Sequence, residues 1–183
     1  MISDRIILGI DPGTNIMGYG LIHQKDKNIS LITMGVLKLG KYNNQALKLK
    51  KIFERTLGLI EEYRPDELAI EAPFYGRNVQ SMLKLGRAQG VAMAAALYKG
   101  LPIFEYSPKK IKQSITGSGN ASKEQVAGML ASLVEFTEAP EFLDATDALA
   151  AAVCHFFQGD KVVTRKSYSG WKSFLKDNPG RKI

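Results

Sequence analysis

The order of segments along the chain predicts an α/β fold in which one mixed sheet of five strands carries helices on both faces. Three strand-like segments come first, and the turn-forming residues Asp26-Lys27-Asn28 separate the second from the third, which is typical of an antiparallel meander. Two further strands alternate with helices, and crossovers of this kind join parallel strands. Meander and crossovers together indicate a mixed sheet covered on both sides.

Short apolar runs rich in β-branched residues predict the strands. The first run, residues 6–10, is ended by Pro12-Gly13, and the fourth, residues 68–70, is ended by Pro73. The strands are expected at residues 6–10, 19–24, 29–39, 68–70 and 102–106.

Apolar residues at helical spacing, together with capping residues, predict the helices. Ser122 and Gln125 form a capping box that opens one helix, and Asp144 is expected to be the N-cap of the last helix. The predicted helices cover residues 45–64, 79–99, 108–116, 123–136 and 144–157.

The composition is that of a globular protein. Of the 183 residues, 45% are hydrophobic and 23% are charged, values that exclude a disordered or fibrous chain. The single cysteine, Cys154, excludes an intramolecular disulfide and fits a reducing compartment. No apolar run reaches the roughly 20 residues of a membrane span. The first residues lack the pattern of a secretory signal. We therefore expect a cytoplasmic protein with no membrane partner.

The positive charge is concentrated at the C-terminus. The chain has a net charge of +7, and residues 161–183 hold seven basic residues and one acidic residue, a net charge of +6. We therefore expect one domain over residues 1–160, followed by a basic, flexible tail over 161–183 that can contact phosphates. A tail that only improves solubility is the alternative.

Four acidic residues stand at the ends of predicted elements. Asp11 and Glu71 end the first and fourth strands, and Asp144 and Asp147 share one face at the start of the last helix. Singly, each of the three aspartates has an ordinary explanation as a turn, capping or first-turn residue. Together, they would repel one another unless cations neutralised them, and Mg²⁺ prefers such oxygen ligands. Two such ions can hydrolyse a phosphodiester without a Ser, Cys or His nucleophile.

Neither histidine fits this site. His155 lies eight residues beyond Asp147, which is roughly 12 Å along a helix, so we expect a packed helix residue. His23 is expected to be an exposed strand residue. Gly86 and Gly90, four residues apart on the second helix, indicate close approach of another backbone, either in the same chain or in a second subunit.

Five ordered blocks resemble the RuvC family of Holliday-junction resolvases, in the ribonuclease H-like superfamily. They span nearly all of residues 5–157 and read ILGIDPGTNIMGYG (7–20), AIEAPF (69–74) with LKLGRAQGV (83–91), FEYSPKKIKQ (104–113), GSGNASKEQV (117–126) and DATDALAA (144–151). The first block alone would be weak, but five blocks in this order form a specific match.

The resemblance implies a ribonuclease H-like fold and a homodimer that cuts four-way DNA junctions by two symmetric nicks, in recombination and DNA repair. It implies two Mg²⁺ ions in each active site, with Mn²⁺ as a substitute, and a branch-migration helicase complex as partner. Carried over to this sequence, the metal ligands are Asp11, Glu71, Asp144 and Asp147.

The resemblance also suggests residues that contact DNA. Lys112 and Lys123 match basic positions near the scissile phosphate, and Phe74 matches an aromatic that stacks on an unpaired base. Base stacking is worth about 1–3 kcal/mol and tolerates any sequence. Further basic residues flank the predicted site and are expected to contact DNA, namely Arg77, Lys84, Arg87, Lys109 and Lys110.

Three alternative functions remain to be weighed against this resemblance. A non-catalytic junction-binding protein would gain nothing from a negative cluster that faces phosphates. A YqgF-type nuclease acting on another nucleic acid would share the first motif but lack the junction-binding blocks. An actin- or sugar-kinase-like ATPase would need a second lobe, for which 183 residues leave no room.

Overall fold

The expected mixed sheet is present in a computed structural model, which describes residues 4–73, 78–134 and 143–159. Within these ranges the chain forms five strands, in the spatial order β3-β2-β1-β4-β5, and five helices. The strands are β1 (Asp4–Asp11), β2 (Ile16–Lys25), β3 (Asn28–Lys38), β4 (Glu67–Glu71) and β5 (Ile103–Tyr106). The helices are α1 (Gln45–Tyr63), α2 (Val79–Tyr98), α3 (Pro108–Thr116), α4 (Lys123–Leu133) and α5 (Leu143–Gly159).

The pairing of the strands confirms the predicted topology. β2 pairs antiparallel with both β1 and β3, so the first three strands form a meander. Asp26, in the turn between β2 and β3, has a φ of 58°, in the left-handed region that Asp tolerates better than most residues. β4 pairs parallel with β1 and with β5, as crossover connections require. The expected tail, residues 161–183, lies outside the described residues.

Local capping explains where several helices begin. The side chain of Asn44 accepts hydrogen bonds from the first turn of α1, and Ser122 and Gln125 form the predicted capping box of α4. The prediction that Asp144 is an N-cap is wrong. Because α5 already begins at Leu143, Asp144 lies inside its first turn, where a carboxylate is favoured by the positive end of the helix dipole.

Alternate residues of the central strands face two separate cores. Ile7 of β1 packs with residues of α3, α4 and α5 on one face of the sheet. Leu8 and Ile10 pack with residues of α1 and α2 on the other face. Both cores consist mainly of buried aliphatic side chains, and all five helices contribute to them, so close packing holds each helix on the sheet.

Helix α5 lies unusually close to the backbone of β1 and β2. A Cβ placed on Gly9 would come within 2.1 Å of the carbonyl oxygen of Ala148, and one on Gly20 would come within 2.9 Å of the Cα of Leu149. Such distances are far inside van der Waals contact. The absence of side chains on these strand residues is therefore what lets the helix pack directly onto the sheet.

A buried polar cluster fixes the other end of α5. His155 is 3% exposed, and its Nε2 donates to the Glu67 carboxylate at 2.8 Å while its Nδ1 lies 2.6 Å from the Tyr106 hydroxyl. Arg5 donates to the same Glu67 oxygen at 2.6 Å. The prediction of a packed helix residue is confirmed, and His155 joins α5 to β4 and β5. His23 lies on β2, partly exposed, beside Asp4.

The glycine pair on α2 has no close neighbour among the described residues. A Cβ on Gly86 or on Gly90 would meet no heavy atom within 4 Å. Close approach of another backbone within the described part of the chain, one of the two predicted explanations, is therefore wrong. The second explanation, contact with another subunit, stays a prediction. No helix in the described ranges has the length and apolar character needed to span a membrane.

Replacing Gly9 by alanine should destabilise the fold. The new methyl group overlaps the Ala148 carbonyl, so α5 must shift, and overpacking of this kind costs about 1–3 kcal/mol of unfolding free energy. Gly58→Ala is the matched control, because a Cβ at residue 58 would meet no atom within 4 Å and alanine is favourable inside a helix such as α1. Urea unfolding of both variants tests this. Equal stability of Gly9→Ala and the wild type would show that α5 does not depend on this contact.

The stability of the protein should acquire a pH dependence from His155. Burial lowers the pKa of His155 in the folded state below its ordinary value near 6.5, so as the pH falls through about 6.5 the unfolded chain binds a proton that the folded chain does not. This contribution to stability is present above that pH and is lost below it. We expect the free energy of unfolding, measured with urea, to fall less between about pH 7.5 and pH 5.5 for His155→Gln than for the wild type. Parallel pH profiles would contradict this.

Candidate active site

Two acidic residues stand where adjacent parallel strands end. Asp11 is the last residue of β1 and Glu71 the last residue of β4, and the two strands pair in register up to Ile10 and Ile70. The next residues along both strands are therefore neighbours. Because side chains alternate along a strand, both carboxylates point to the face of the sheet covered by α5.

The first turns of α5 bring two more acids to the same place. Carboxylate oxygens of Asp11, Asp144 and Asp147 lie within 4.8 Å of one another. The backbone contact with the sheet determines this position, since a Cβ on Gly18 of β2 would come within 1.9 Å of the Asp144 carbonyl oxygen. Glu71 is not part of this group of three, but it lines one cavity together with Asp11 and Asp147.

The loop after Asp11 is held tightly. A Cβ on Gly13 would come within 1.7 Å of the Ile16 carbonyl oxygen, so the turn after Asp11-Pro12 admits only glycine at this position. The side chain of Lys48 on α1 donates to the carbonyl oxygen of Thr14 at 2.9 Å. These contacts fix the backbone that follows the Asp11 carboxylate.

Two lysines complete the site. Lys123, the first residue of α4, forms an ion pair with the carboxylate of Asp147. Lys112 of α3 donates to the carbonyl oxygen of Ala121 at 2.8 Å, which ties α3 to the loop before α4. Both ammonium groups favour the ionised form of Glu71 and lower its pKa against the larger effects of burial and of Asp147.

These groups surround one cavity of about 320 Å³. Its polar lining consists of Asp11, Glu71, Asp147, Lys112 and Lys123, and its apolar lining comes from α3, α4 and α5. A smaller hollow of about 140 Å³ lies between Leu85 of α2 and the ends of β1 and β4. The larger cavity thus has three carboxylates and two ammonium groups that can contact one ligand.

Crowding of negative charge dominates the electrostatics of the site. Burial, followed by the charges of Glu71 and Asp147, raises the pKa of Asp11 well above its ordinary value. Burial and the charge of Asp147 raise the pKa of Glu71 to about 7. Near neutral pH the cluster therefore resists full ionisation unless positive charge enters it.

The donor set fits a hard divalent cation. All of the clustered ligands are carboxylate oxygens, and three of them are already close enough to share one ion. A bound cation would also offset the repulsion that raises the pKa of Asp11. Mg²⁺ and Mn²⁺ both prefer such ligands, whereas a softer metal would call for His or Cys.

The other predicted site residues are placed differently. Lys84, Arg87, Lys109 and Lys110 are exposed on α2 and α3, and none of them is among the described residues that line the cavity. Phe74 and Arg77 lie outside the described residues. Five of the predicted site residues therefore line the cavity, namely Asp11, Glu71, Asp147, Lys112 and Lys123. The four exposed basic residues of α2 and α3 lie on the surface outside it.

Several residues that shape the site were not predicted. Gly9, Gly18 and Gly20 lie in strands, where glycine is usually unfavourable. Glycines at these strand positions are the sequence feature that indicates close approach of another backbone, here that of α5. Gln89, buried on α2, donates to the backbone of Glu71, and Lys48 holds the loop after Asp11. Neither had a recognisable signal, because each lies on a helix far from the acids in sequence.

Comparison with known proteins gives a consistent match. The family model described as "Crossover junction endodeoxyribonuclease RuvC" matches residues 7–155. A protein of that name from Cytophaga hutchinsonii is 66% identical over 178 residues, covering 97% of this chain and 88% of the relative. One from Christiangramia forsetii is 64% identical over 177 residues, covering 97% of this chain and 92% of the relative.

A solved structure agrees with the sequence comparisons. The chain resembles T. thermophilus RuvC in complex with Holliday junction substrate, with a TM-score of 0.80 and 32% identity, covering 86% of this chain and 96% of the other. Residues 7–155, which the family model matches, include all four acids, Asp11, Glu71, Asp144 and Asp147.

Proposed function

The chain belongs to the RuvC family of crossover junction endodeoxyribonucleases, which has the ribonuclease H-like fold, and from this membership we propose that it resolves four-way DNA junctions by paired symmetric nicks. The observation that carries the proposal is the cavity in which Asp11, Glu71 and Asp147 meet Lys112 and Lys123. In this proposal, the metal ligands are Asp11, Glu71, Asp144 and Asp147.

The chemistry assigned to this site is hydrolysis of a phosphodiester. When bound, two divalent ions, Mg²⁺ or Mn²⁺, supply an activated water and neutralise charge on the leaving oxygen. The carboxylates of β1 and β4 hold their side of the site rigidly, because they extend from paired strands. The carboxylates of α5 close the other side.

The lysines have a separate role in the proposal. Lys123 is half exposed and borders the cavity. When DNA binds, its ammonium group can leave the Asp147 carboxylate and form a charge-assisted hydrogen bond with a phosphate oxygen instead. Lys112 lines the same cavity and offers a second positive charge. We assign both to binding the scissile phosphate, with Lys84, Arg87, Lys109 and Lys110 contacting the backbone farther away.

A two-fold symmetric substrate calls for a two-fold symmetric enzyme, and we propose a homodimer. Support comes from α2, where Gly86 and Gly90 have no close neighbour in the described chain and where Val79, Leu83 and Leu97 are exposed. An exposed apolar helix face of this kind is suited to a second copy.

Other parts of the proposal rest on the family alone. They are stacking of Phe74 on an unpaired base and cooperation with a branch-migration helicase complex. DNA contact by Arg77 rests on its positive charge near the predicted site in the sequence, and a cytoplasmic location rests on the cysteine content. The domain boundary near residue 160 and a phosphate-binding role for residues 161–183 rest on the sequence. The basic charge of that segment supports the second.

Cleavage of synthetic DNA tests the proposal. We expect symmetric nicks in a four-way junction with Mg²⁺, no nicks with a chelator, and no cutting of linear duplex of the same sequence. Asp11→Asn should still bind the junction but cut it at least about 100-fold more slowly, because one shared metal ligand loses its charge.

Asp66→Asn is a matched control, because it removes an aspartate charge at the opposite end of β1, and it should cut normally. Junction binding without Mg²⁺-dependent nicking by the wild type would favour the non-catalytic binding protein. Equal cutting of junction and duplex would favour a nuclease with another substrate, such as a YqgF-type enzyme.

A further inference from the structure

Helix α2 carries one polar side chain in an otherwise small, apolar buried face. Gln89 is 7% exposed, and the other buried residues of α2 are alanines. Burying an amide is unfavourable unless it is hydrogen-bonded. The contacts of Gln89 should therefore explain why it is there.

The amide of Gln89 bridges two strands beside the active site. Its Nε2 donates to the carboxylate of Glu105 on β5 at 2.8 Å and to the backbone carbonyl of Glu71 on β4 at 3.5 Å. The first contact is short and charge-assisted, so it orients the amide. The second reaches the main chain of a proposed metal ligand.

Gln89 contacts Glu71 from the face of the sheet opposite to the Glu71 carboxylate. The neighbouring residue Ile70 packs in the core formed with α1 and α2, whereas Ala69 packs on the α5 side. Alternation along β4 therefore directs the Glu71 carboxylate to the α5 side, while α2 and Gln89 lie on the opposite face. The pairing of β4 with β1 ends at Ile70, so Glu71 has a paired strand only on the side of β5, where it lies opposite Tyr106.

We propose that Gln89 is a positioning residue, which holds the main chain of Glu71 so that its carboxylate stays directed into the metal site. Glu105 supports it by orienting the amide. This inference rests on the proposed function, because it assigns Gln89 to the same acidic site. Side chains that orient metal ligands typically change metal affinity or activity by 10- to 100-fold when they are removed.

The test is direct metal binding by Gln89→Met. Methionine has nearly the length and flexibility of glutamine but cannot donate a hydrogen bond. We expect Mn²⁺ to bind about 10-fold more weakly to this variant, measured by electron paramagnetic resonance on the protein without DNA. Single-turnover cutting of a prebound junction at low Mg²⁺ should slow by a similar factor and recover at high Mg²⁺. Junction affinity in chelator should not change.

Two further variants separate positioning from general support of the helix. Ala96→Gly lies on the same buried face of α2 and weakens the helix without touching Glu71, so its Mn²⁺ affinity should match the wild type. The double variant Gln89→Glu with Glu105→Gln restores a hydrogen bond between α2 and β5. It provides no donor for the Glu71 carbonyl, so its Mn²⁺ affinity should stay low.

The inference is overturned if Gln89→Met binds Mn²⁺ as the wild type does, or if Ala96→Gly weakens binding equally. It is also overturned if the double variant recovers full affinity, since the contact between α2 and β5 would then suffice. Absence of Mn²⁺ binding by the wild type would overturn it as well. Failure of the wild type to cut junctions would refute the proposed function instead, because the Mn²⁺ measurement does not involve DNA.

Discussion

Contact between the backbone of α5 and the backbones of β1 and β2 is the constraint on which the acidic site depends. Side chains on Gly9 or Gly18 would overlap carbonyl oxygens of α5, at Ala148 and Asp144, so the helix can approach only because both residues are glycines. This approach brings Asp144 and Asp147 within 4.8 Å of Asp11. His155 then fixes the far end of the same helix to β4 through Glu67.

The acidic site is built against electrostatic repulsion. Burial and neighbouring charges raise the pKa of Asp11 and of Glu71. Without bound cations, ionising these two carboxyl groups in the folded protein is therefore less favourable than ionising them in water. Two paired strands and a closely packed helix hold the carboxylates in place despite this cost. Lys123 offsets part of it through its ion pair with Asp147. The same arrangement favours divalent cations, and such ions can hydrolyse a phosphodiester without a nucleophilic side chain.

The sequence predicted the elements well where local signals were strong. Proline and glycine ended the runs that became β1 and β4, and Ser122 with Gln125 marked the start of α4. The N-cap prediction for Asp144 is wrong because a carboxylate before an apolar run can be an N-cap or a first-turn residue, and only the backbone distinguishes the two. The contacts of Gln89 and Lys48 could not be predicted, because they join residues distant in sequence through tertiary packing alone.

The central claim is that the fold holds the acids close together despite their repulsion, and that binding of divalent ions offsets this repulsion. Thermal unfolding of Asp11→Asn, with and without Mg²⁺, tests it most directly. At about pH 8, where ordinary carboxylates are ionised, the variant should be more stable than the wild type in chelator, because one repelling charge is gone. Mg²⁺ at about 100 times its dissociation constant should stabilise the wild type by about 2.7 kcal/mol and the variant far less. A variant that is less stable than the wild type in chelator, yet equally stabilised by Mg²⁺, would contradict the account.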